Sequence, residues 1–235
     1  MLTFTRLRNV FIISNPITPK VSYNPSEYWH ERGKVYQKNF RYDKNKRLQE
    51  EFLLTHLNGI SGSFKSVLEL GCGFGRITKL LLTNYSNITE YLAVDISPDQ
   101  IENAKTLISS AKLLNQVKLD FLVSDIQSLK LDKQYDLVIL SEVLLHILPT
   151  DIDSIIKKLI ALSNKHIINI DWYADHPPRI QARHNFIHQY EAIYKKYTEP
   201  STIFKRIPIK RKKKLFGNHD TKQSIFHVIL ERNSN

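Results

Sequence analysis

The chain has 235 residues, of which 42% are hydrophobic and 24% are charged, a composition typical of a globular protein with a substantial core. No run approaches the roughly 18 apolar residues that a membrane span requires, so we expect no transmembrane segment. A single cysteine, Cys72, excludes an internal disulfide framework and a four-cysteine zinc site, and favours a cytoplasmic location.

The formal net charge of +11 at pH 7 is concentrated in one place. Seven cations and no acid lie between Lys205 and Lys214. This segment is either a solvated loop between strands or a contact for an anionic partner such as RNA, phosphate or a lipid surface.

Residues 1–26 contain no acid and hold only a brief apolar run at residues 10–13. That run is too short for the core of a signal peptide, so we expect a flexible or loosely docked arm rather than secretion; an organelle transit peptide is the alternative. Residues 26–42 are dense in aromatic and charged side chains. A helical pattern over residues 48–57 follows and ends near Asn58-Gly59.

A strand, a glycine turn and a helix are predicted in succession between Val67 and Leu81. The turn holds Gly71, Gly73 and Gly75, which tolerate positive φ and lack the Cβ that would hold a ligand away from the backbone amides. A nucleotide-like ligand fits such a turn. The spacing G-x-G-x-G matches neither the dinucleotide fingerprint nor the P-loop.

Acids follow the next two predicted strands. Residues 91–95 end in Asp95, and a carboxylate about 20 residues beyond a glycine turn is placed to bind ribose hydroxyls. The alternative for Asp95 is a helix cap, although Ser97-Pro98 supplies one itself. The strand at residues 117–123 leads to Asp125 and Ile126.

The remaining pattern completes an α/β protein. We predict a buried strand at residues 135–140, a helix at 151–162, a strand at 166–171, a helical run within 173–197, and two closing strands at 203–209 and 224–231. Five strands alternating with helices favour a parallel doubly wound sheet, and the closing pair favours an antiparallel edge. We therefore predict a seven-stranded, mostly parallel sheet with an antiparallel C-terminal strand.

The pattern E-x-G-x-G-x-G, beginning at Glu69, resembles motif I of the class I S-adenosylmethionine-dependent methyltransferases, and the resemblance covers roughly residues 45–232. It implies the seven-stranded, Rossmann-like methyltransferase fold, S-adenosylmethionine as cofactor and S-adenosylhomocysteine as product. It implies an N-terminal arm and cofactor-covering segment at 1–44, a catalytic domain at 45–235, and an acceptor-side insertion at 172–200.

The resemblance also implies which residues bind the cofactor. These are Glu69, Gly71, Cys72, Gly73, Gly75, Asp95, Ile96, Asp125, Ile126, Ser141, Tyr28 and Trp29. Glu69 is expected near the donor's positive amino-acid end. Asp125 is expected to bind the adenine amino group or, alternatively, to cap a turn. Tyr28 and Trp29 are expected to lie over the cofactor or, alternatively, to pack on the core.

Histidines near the carboxyl ends of the strands are the candidate bases. His146, His184 and His188 could each take a proton near neutral pH, and His184 and His188 would share one helix face. We expect no metal, although Asp171, His176, His184 and His188 are weak candidate ligands.

We therefore expect methyl transfer to an oxygen or nitrogen of a small molecule or glycan-like metabolite. A covalent pyrimidine mechanism is not expected, because the sole thiol lies in the glycine turn. One alternative is an RNA methyltransferase that uses Lys205–Lys214, and another is a non-catalytic, cofactor-binding scaffold protein. The oligomeric state is not predicted.

Overall fold

The computed structural model describes residues 23–111, 117–174, 184–209 and 222–231. Two helices precede the sheet, α1 (Pro25–Asn39) and α2 (Lys44–Asn58). Asn24 caps α1 by accepting a hydrogen bond from the Glu27 amide, and Asp43 caps α2 by accepting from two backbone amides. The helix predicted from the apolar spacing at residues 48–57 is confirmed as α2.

One sheet of seven strands forms the centre of the protein. In chain order the strands are β1 (Ser66–Leu70), β2 (Glu90–Asp95), β3 (Lys118–Val123), β4 (Tyr135–Ser141), β5 (Ser163–Tyr173), β6 (Ile203–Pro208) and β7 (Lys222–Ile229). Their spatial order is β3-β2-β1-β4-β5-β7-β6, and β7 runs antiparallel to both of its neighbours. The predicted fold class is confirmed.

Helices cover both faces of the sheet because the strand side chains alternate between two apolar layers. The remaining helices are α3 (Arg76–Asn84), α4 (Pro98–Ser110), α5 (Ile152–Leu162) and α6 (Tyr190–Lys195). Leu68 and Val138 pack with α5 and α6 on one face, whereas Val67 and Leu137 pack with α2, α3 and Ile101 of α4 on the other. The parallel strands therefore present their carboxyl ends at one edge of the layered core.

A chain of three histidines, two of them buried, lies near the amino ends of the parallel strands. The Nε2 of His56 on α2 is 2.9 Å from the Nδ1 of His227 on β7, and the Nε2 of His227 is 3.0 Å from the Nδ1 of His166 on β5. The Nε2 of His166 lies 2.7 Å from the Oγ of Ser63, which donates to the carbonyl of Ile60. Each ring therefore carries a hydrogen on Nε2, and His166 and His227 are neutral because their Nδ1 atoms accept.

The helical run predicted within residues 173–197 is confirmed only at Tyr190–Lys195, which form α6, and is wrong for Phe186 and Ile187. The preceding residues bond to the turn after β4 instead of to one another. The amide of Phe186 donates to the carbonyl of Leu145 at 2.6 Å, and the Nε2 of His188 donates to the carbonyl of Ile147 at 3.0 Å. His184 and His188 therefore share no helix face.

No helix within the described ranges is both long and apolar enough to cross a membrane.

Candidate functional site

A cavity of about 590 Å³ opens at the carboxyl ends of β1, β2 and β4. Its walls come from the glycine turn after β1, the segments that follow β2, β3 and β4, and α1. In open α/β sheets this edge is where ligands bind, close to the point where strand order reverses between β1 and β4. The volume lies within the range for sites that bind small molecules.

The glycine turn has a left-handed backbone at all three glycines, with φ of 72° at Gly71, 55° at Gly73 and 87° at Gly75. Gly75 precedes α3 and packs so tightly that an added Cβ would lie 3.1 Å from the Cβ of Ala104 on α4. Gly73 faces the cavity, and the nearest atom to its added Cβ would be 3.9 Å away. The turn therefore lets a ligand approach the backbone closely.

Asp95 lies on the cavity wall beside this turn. Its Oδ2 accepts a hydrogen bond from the Gly73 amide at 2.8 Å, and its Oδ1 accepts from the Ser97 amide at 2.9 Å. Burial raises the pKa of Asp95, and these backbone hydrogen bonds oppose the rise. Ser97 caps α4, as predicted, by accepting from the Gln100 amide at 3.4 Å.

Asp125 and Ile126 line the cavity beyond β3. The Oδ1 of Asp125 accepts from the Gln127 amide at 2.8 Å, so the turn-capping alternative is realised for one oxygen. Ile96 and Cys72 also line the cavity. Burial raises the pKa of the Cys72 thiol well above its usual value, which leaves it unreactive.

Glu69 lines the cavity with only 2% of its surface exposed. Its Oε2 accepts hydrogen bonds from the hydroxyls of Thr78 at 2.5 Å and Tyr91 at 2.6 Å. Burial raises the pKa of Glu69 to about 7, so the side chain is poised between its neutral and charged forms. Its expected place near the donor's amino-acid end stays a prediction.

Arg76 links the cavity to α2, which the sequence analysis missed. One guanidinium nitrogen donates to Glu50 at 2.7 Å, and another donates to Gln49 at 2.5 Å and to Ser141 at 3.4 Å. Arg76 and Ser141 both line the cavity. A cation at the N-terminus of a helix interacts unfavourably with the helix dipole. The position of Arg76 at the start of α3 was therefore a sequence signal that its side chain has a partner elsewhere in the fold.

Glu142 follows β4 and has a left-handed backbone, with φ of 58°. Its Oε1 accepts from the Nε2 of Gln223 on β7 at 2.8 Å, and its Oε2 pairs with the ammonium of Lys46 on α2. A non-glycine residue in this conformation is strained by roughly 1–3 kcal/mol and such strain clusters at functional sites. Glu142 lines the cavity, and nothing in the sequence indicated its conformation.

Aromatic side chains from α1 close one side of the cavity. The Trp29 ring lines it and lies 4.5 Å from the ring of His146. Tyr28 is outside the cavity lining and stacks on His184 with ring centres 5.0 Å apart, so its place over the cofactor stays a prediction. Neighbouring residues on a helix point in different directions, so only one of the pair reaches the cavity.

Two of the three candidate bases reach the cavity, His146 and His184. The Nδ1 of His146 lies 2.7 Å from the carbonyl of His184, which can only accept, so Nδ1 carries the hydrogen and Nε2 keeps a free lone pair. Burial lowers the pKa of His146 to about 4. His188 is buried outside the lining of this cavity and bonded to the Ile147 carbonyl, so its role as a base stays a prediction.

The weak metal candidates do not assemble in the described part of the chain. Asp171 is fully buried, and burial raises its pKa well above the usual value, so it is neutral and does not line the cavity. His176 lies outside the described residues. Among the residues that the structure does describe, no group of three or more His, Cys, Asp or Glu side chains could hold a metal ion.

The basic segment is described only in part. Lys205 and Arg206 lie on β6, and the guanidinium of Arg206 sits 4.0 Å from the ring centre of Tyr173. The cations at 210–214 lie outside the described residues, so neither interpretation of the segment is tested.

Residues 68–165 match a family model described as a methyltransferase domain. A malonyl-(acyl-carrier protein) O-methyltransferase of Anoxybacillus flavithermus is 35% identical over 98 residues, which cover 42% of this chain and 35% of that protein. A ubiquinone biosynthesis O-methyltransferase of Rickettsia felis is 37% identical over 97 residues, which cover 41% of this chain and 36% of that protein. The match therefore spans little more than a third of each relative.

Solved structures with the same fold cover nearly the whole chain. A magnesium protoporphyrin IX methyltransferase from Synechocystis, crystallised with bound S-adenosylmethionine, covers 90% of this chain and 99% of its own, with a TM-score of 0.64 and 15% identity. The (4+2)-cyclase SpnF covers 89% of this chain and 97% of its own, with a TM-score of 0.68 and 10% identity. These likenesses establish the fold, and the cyclase illustrates that one fold supports different reactions.

Proposed function

We propose that this chain, whose residues 68–165 match a methyltransferase domain model, is a class I S-adenosylmethionine-dependent methyltransferase. It transfers a methyl group from S-adenosylmethionine to a small, uncharged or cationic acceptor, with a hydroxyl oxygen as the favoured target. The observation that carries the proposal is a single cavity. It brings the glycine turn and Asp95 together with His146, which offers a free ring nitrogen.

The residues of the cavity suit the cofactor. The open space at Gly73 admits a ligand against the backbone, and Asp95 and Asp125 offer carboxylate oxygens for ribose and adenine groups. Glu69 and Ser141, which also line the cavity, would lie toward the amino-acid end. When bound, the cofactor supplies a methyl group already activated on a sulfonium.

The charge of the cavity walls restricts the chemical classes of acceptor that could bind. Among the described lining residues, five carry carboxyl groups and one carries a permanent positive charge: Glu69, Asp95, Asp125, Glu142 and Asp151 against Arg76. Arg76 is already paired with Glu50, and Glu142 with Lys46, which leaves four carboxyl groups and no unpaired permanent cation among these lining residues. An acceptor with a carboxylate or phosphate near the reacting atom would be repelled, whereas a neutral alcohol or phenol, or an amine, would not.

Transfer to oxygen is favoured by the relatives and by His146. The two curated relatives are named as O-methyltransferases. His146 is neutral at physiological pH because burial depresses its pKa, so its Nε2 is available to accept a hydroxyl proton as the oxygen attacks. The Trp29 ring packs against His146 and would help to exclude water from the reacting groups.

The first experiment measures binding of S-adenosylhomocysteine by calorimetry and by thermal unfolding. Ligand at 100 times its dissociation constant should stabilise the protein by about 2.7 kcal/mol. Asp95→Ala should abolish the shift, while Asp132→Ala, at an exposed position outside the cavity lining, should retain it. An equal shift in both variants would contradict the cofactor site.

The second experiment presents labelled S-adenosylmethionine with panels of alcohols, phenols, amines and carboxylic acids, and detects methylated products by mass spectrometry. Products from alcohols, phenols or amines would support the proposal. Methyl esters of carboxylic acids as the sole products would contradict the charge argument. Cofactor binding without any product would favour the non-catalytic alternative.

A further inference from the structure

We propose that Gln100 binds a ribose hydroxyl of the cofactor while holding α1 in place, so that cofactor binding orders the wall that receives the acceptor. The inference rests on the proposed function and adds a residue that the motifs did not indicate. Gln100 lies in the first turn of α4, is 3% exposed and lines the cavity.

The orientation of the Gln100 amide is fixed by its partner. Its Nε2 donates to the backbone carbonyl of Gly33 on α1, and a carbonyl can only accept, so the amide cannot be reversed. The other amide atom, Oε1, is buried and has no hydrogen-bond partner in the part of the chain that the structure describes. Leaving such an acceptor unpaired is costly, which points to a ligand that supplies a donor.

The position of the Gln100 Oε1 indicates which group of the ligand could donate a hydrogen bond to it. It lies beside the glycine turn, 3.9 Å from the point where a Cβ on Gly73 would be, and Gly73 is itself bonded to Asp95. Oε1 therefore shares the part of the cavity that Asp95 offers to ribose. Because an amide oxygen accepts only, a hydroxyl donor of the sugar fits, and a carboxylate of the ligand does not.

The link from Gln100 to α1 is unusually close. An added Cβ on Gly33 would lie 2.0 Å from the Oγ of Ser97, so α1 has no room for a side chain at Gly33 where it packs against the N-cap of α4. α1 also supplies Trp29 and Tyr36 to the cavity wall. Satisfying Oε1 fixes the Gln100 side chain, and a fixed Gln100 holds Gly33 and the aromatic wall. The expected consequence is ordered binding, with the cofactor first and the acceptor second.

Hydrogen exchange with mass spectrometry tests this coupling. In the wild-type protein, S-adenosylhomocysteine should slow exchange of the α1 amides at least tenfold. Gln100→Met removes both polar contacts and should raise the dissociation constant about 3- to 10-fold, the range of one neutral hydrogen bond, and abolish the protection. Gln100→Glu keeps an acceptor but loses the Nε2 that donates to the Gly33 carbonyl, so α1 protection should be lost here too. The matched control is Gln134→Met, which loses a 2.8 Å bond to the Ala161 carbonyl far from the cavity and should behave as wild type.

Analogues of S-adenosylhomocysteine that lack the 2′ or 3′ hydroxyl identify the donor. One of them should bind the wild type more weakly than the parent, and the penalty should disappear in Gln100→Met. Equal penalties in both proteins would overturn the ribose contact. Unchanged α1 exchange when the wild type is saturated would overturn the coupling, without any variant. Failure of the wild type to bind at all would instead overturn the cofactor proposal from which this inference starts.

Discussion

The histidine chain makes the stability of this protein sensitive to acid. Burial lowers the pKa of His166 to about 4 and that of His227 to about 3, from an ordinary value of 6.5, and burial also lowers the pKa of His56. Below pH 6.5 these histidines bind protons in the unfolded chain but stay neutral in the folded chain, so the free energy of unfolding falls as pH falls. At pH 5 the rings of His166 and His227 each lower the free energy of unfolding by ~2 kcal/mol.

Replacement of the central ring isolates this effect. The amide of His227→Gln can accept from His56 and donate to His166 without titrating. The free energy of unfolding is measured with urea at pH 7.5 and pH 5, and unfolding is followed by tryptophan fluorescence. Between these two pH values it should fall by ~2 kcal/mol less in the variant than in the wild type. The change between the two pH values is the readout, because any packing cost of the substitution applies at both.

The control is His30→Gln, at an exposed position on α1. In this variant the free energy of unfolding should fall between pH 7.5 and pH 5 by as much as it does in the wild type. If His227→Gln lost as much stability as the wild type between pH 7.5 and pH 5, the buried chain would not be the source of the acid sensitivity. The reasoning would fail equally if the control reproduced the effect.

Three further predictions concern the cavity. Glu69→Gln retains an acceptor for Thr78 and Tyr91 but cannot ionise. In the wild type, the stability that comes from the raised pKa of Glu69 is lost as pH rises from 4.5 through about 7. Between pH 4.5 and pH 8 the free energy of unfolding, measured with urea, should therefore fall by ~2–3 kcal/mol more in the wild type than in the variant. Gly33→Ala should displace α1 and speed its cleavage in limited proteolysis, whereas Gly62→Ala, with open space around the added Cβ, should not. His146→Gln should lower kcat by about 10²- to 10⁴-fold with little change in cofactor affinity, and the wild-type rate should fall on acidification only near pH 4.

Distinct results would contradict each of these. A stability difference between Glu69→Gln and the wild type that stayed constant from pH 4.5 to pH 8 would exclude the raised pKa. Equal proteolysis of the two glycine variants would mean that α1 does not depend on its contact with α4. A wild-type rate that fell near pH 6.5 would assign the proton acceptor to a group other than the buried His146.

The sequence predicted the sheet well, because its strands are apolar runs whose side chains alternate between two buried layers. The glycine turn, Asp95 and Asp125 were found because their chemistry is tied to spacing along the chain. Local pattern reasoning misjudged residues 184–188, where hydrogen bonds to the turn after β4 replace helical ones. The strained conformation of Glu142 could not be predicted from local sequence, because the partners of its side chain, on α2 and β7, are far away along the chain.

The place of β7 in the sheet has a consequence for synthesis. β7 is the last of the seven strands in chain order, yet it lies between β5 and β6. During translation β6 has no partner, and one edge of β5 stays open, until residues 222–229 leave the ribosome. The same strand brings Gln223 to Glu142 and His227 to the histidine chain. We therefore expect a nascent chain that stops before β7 to be prone to aggregation and to lack a finished ligand pocket.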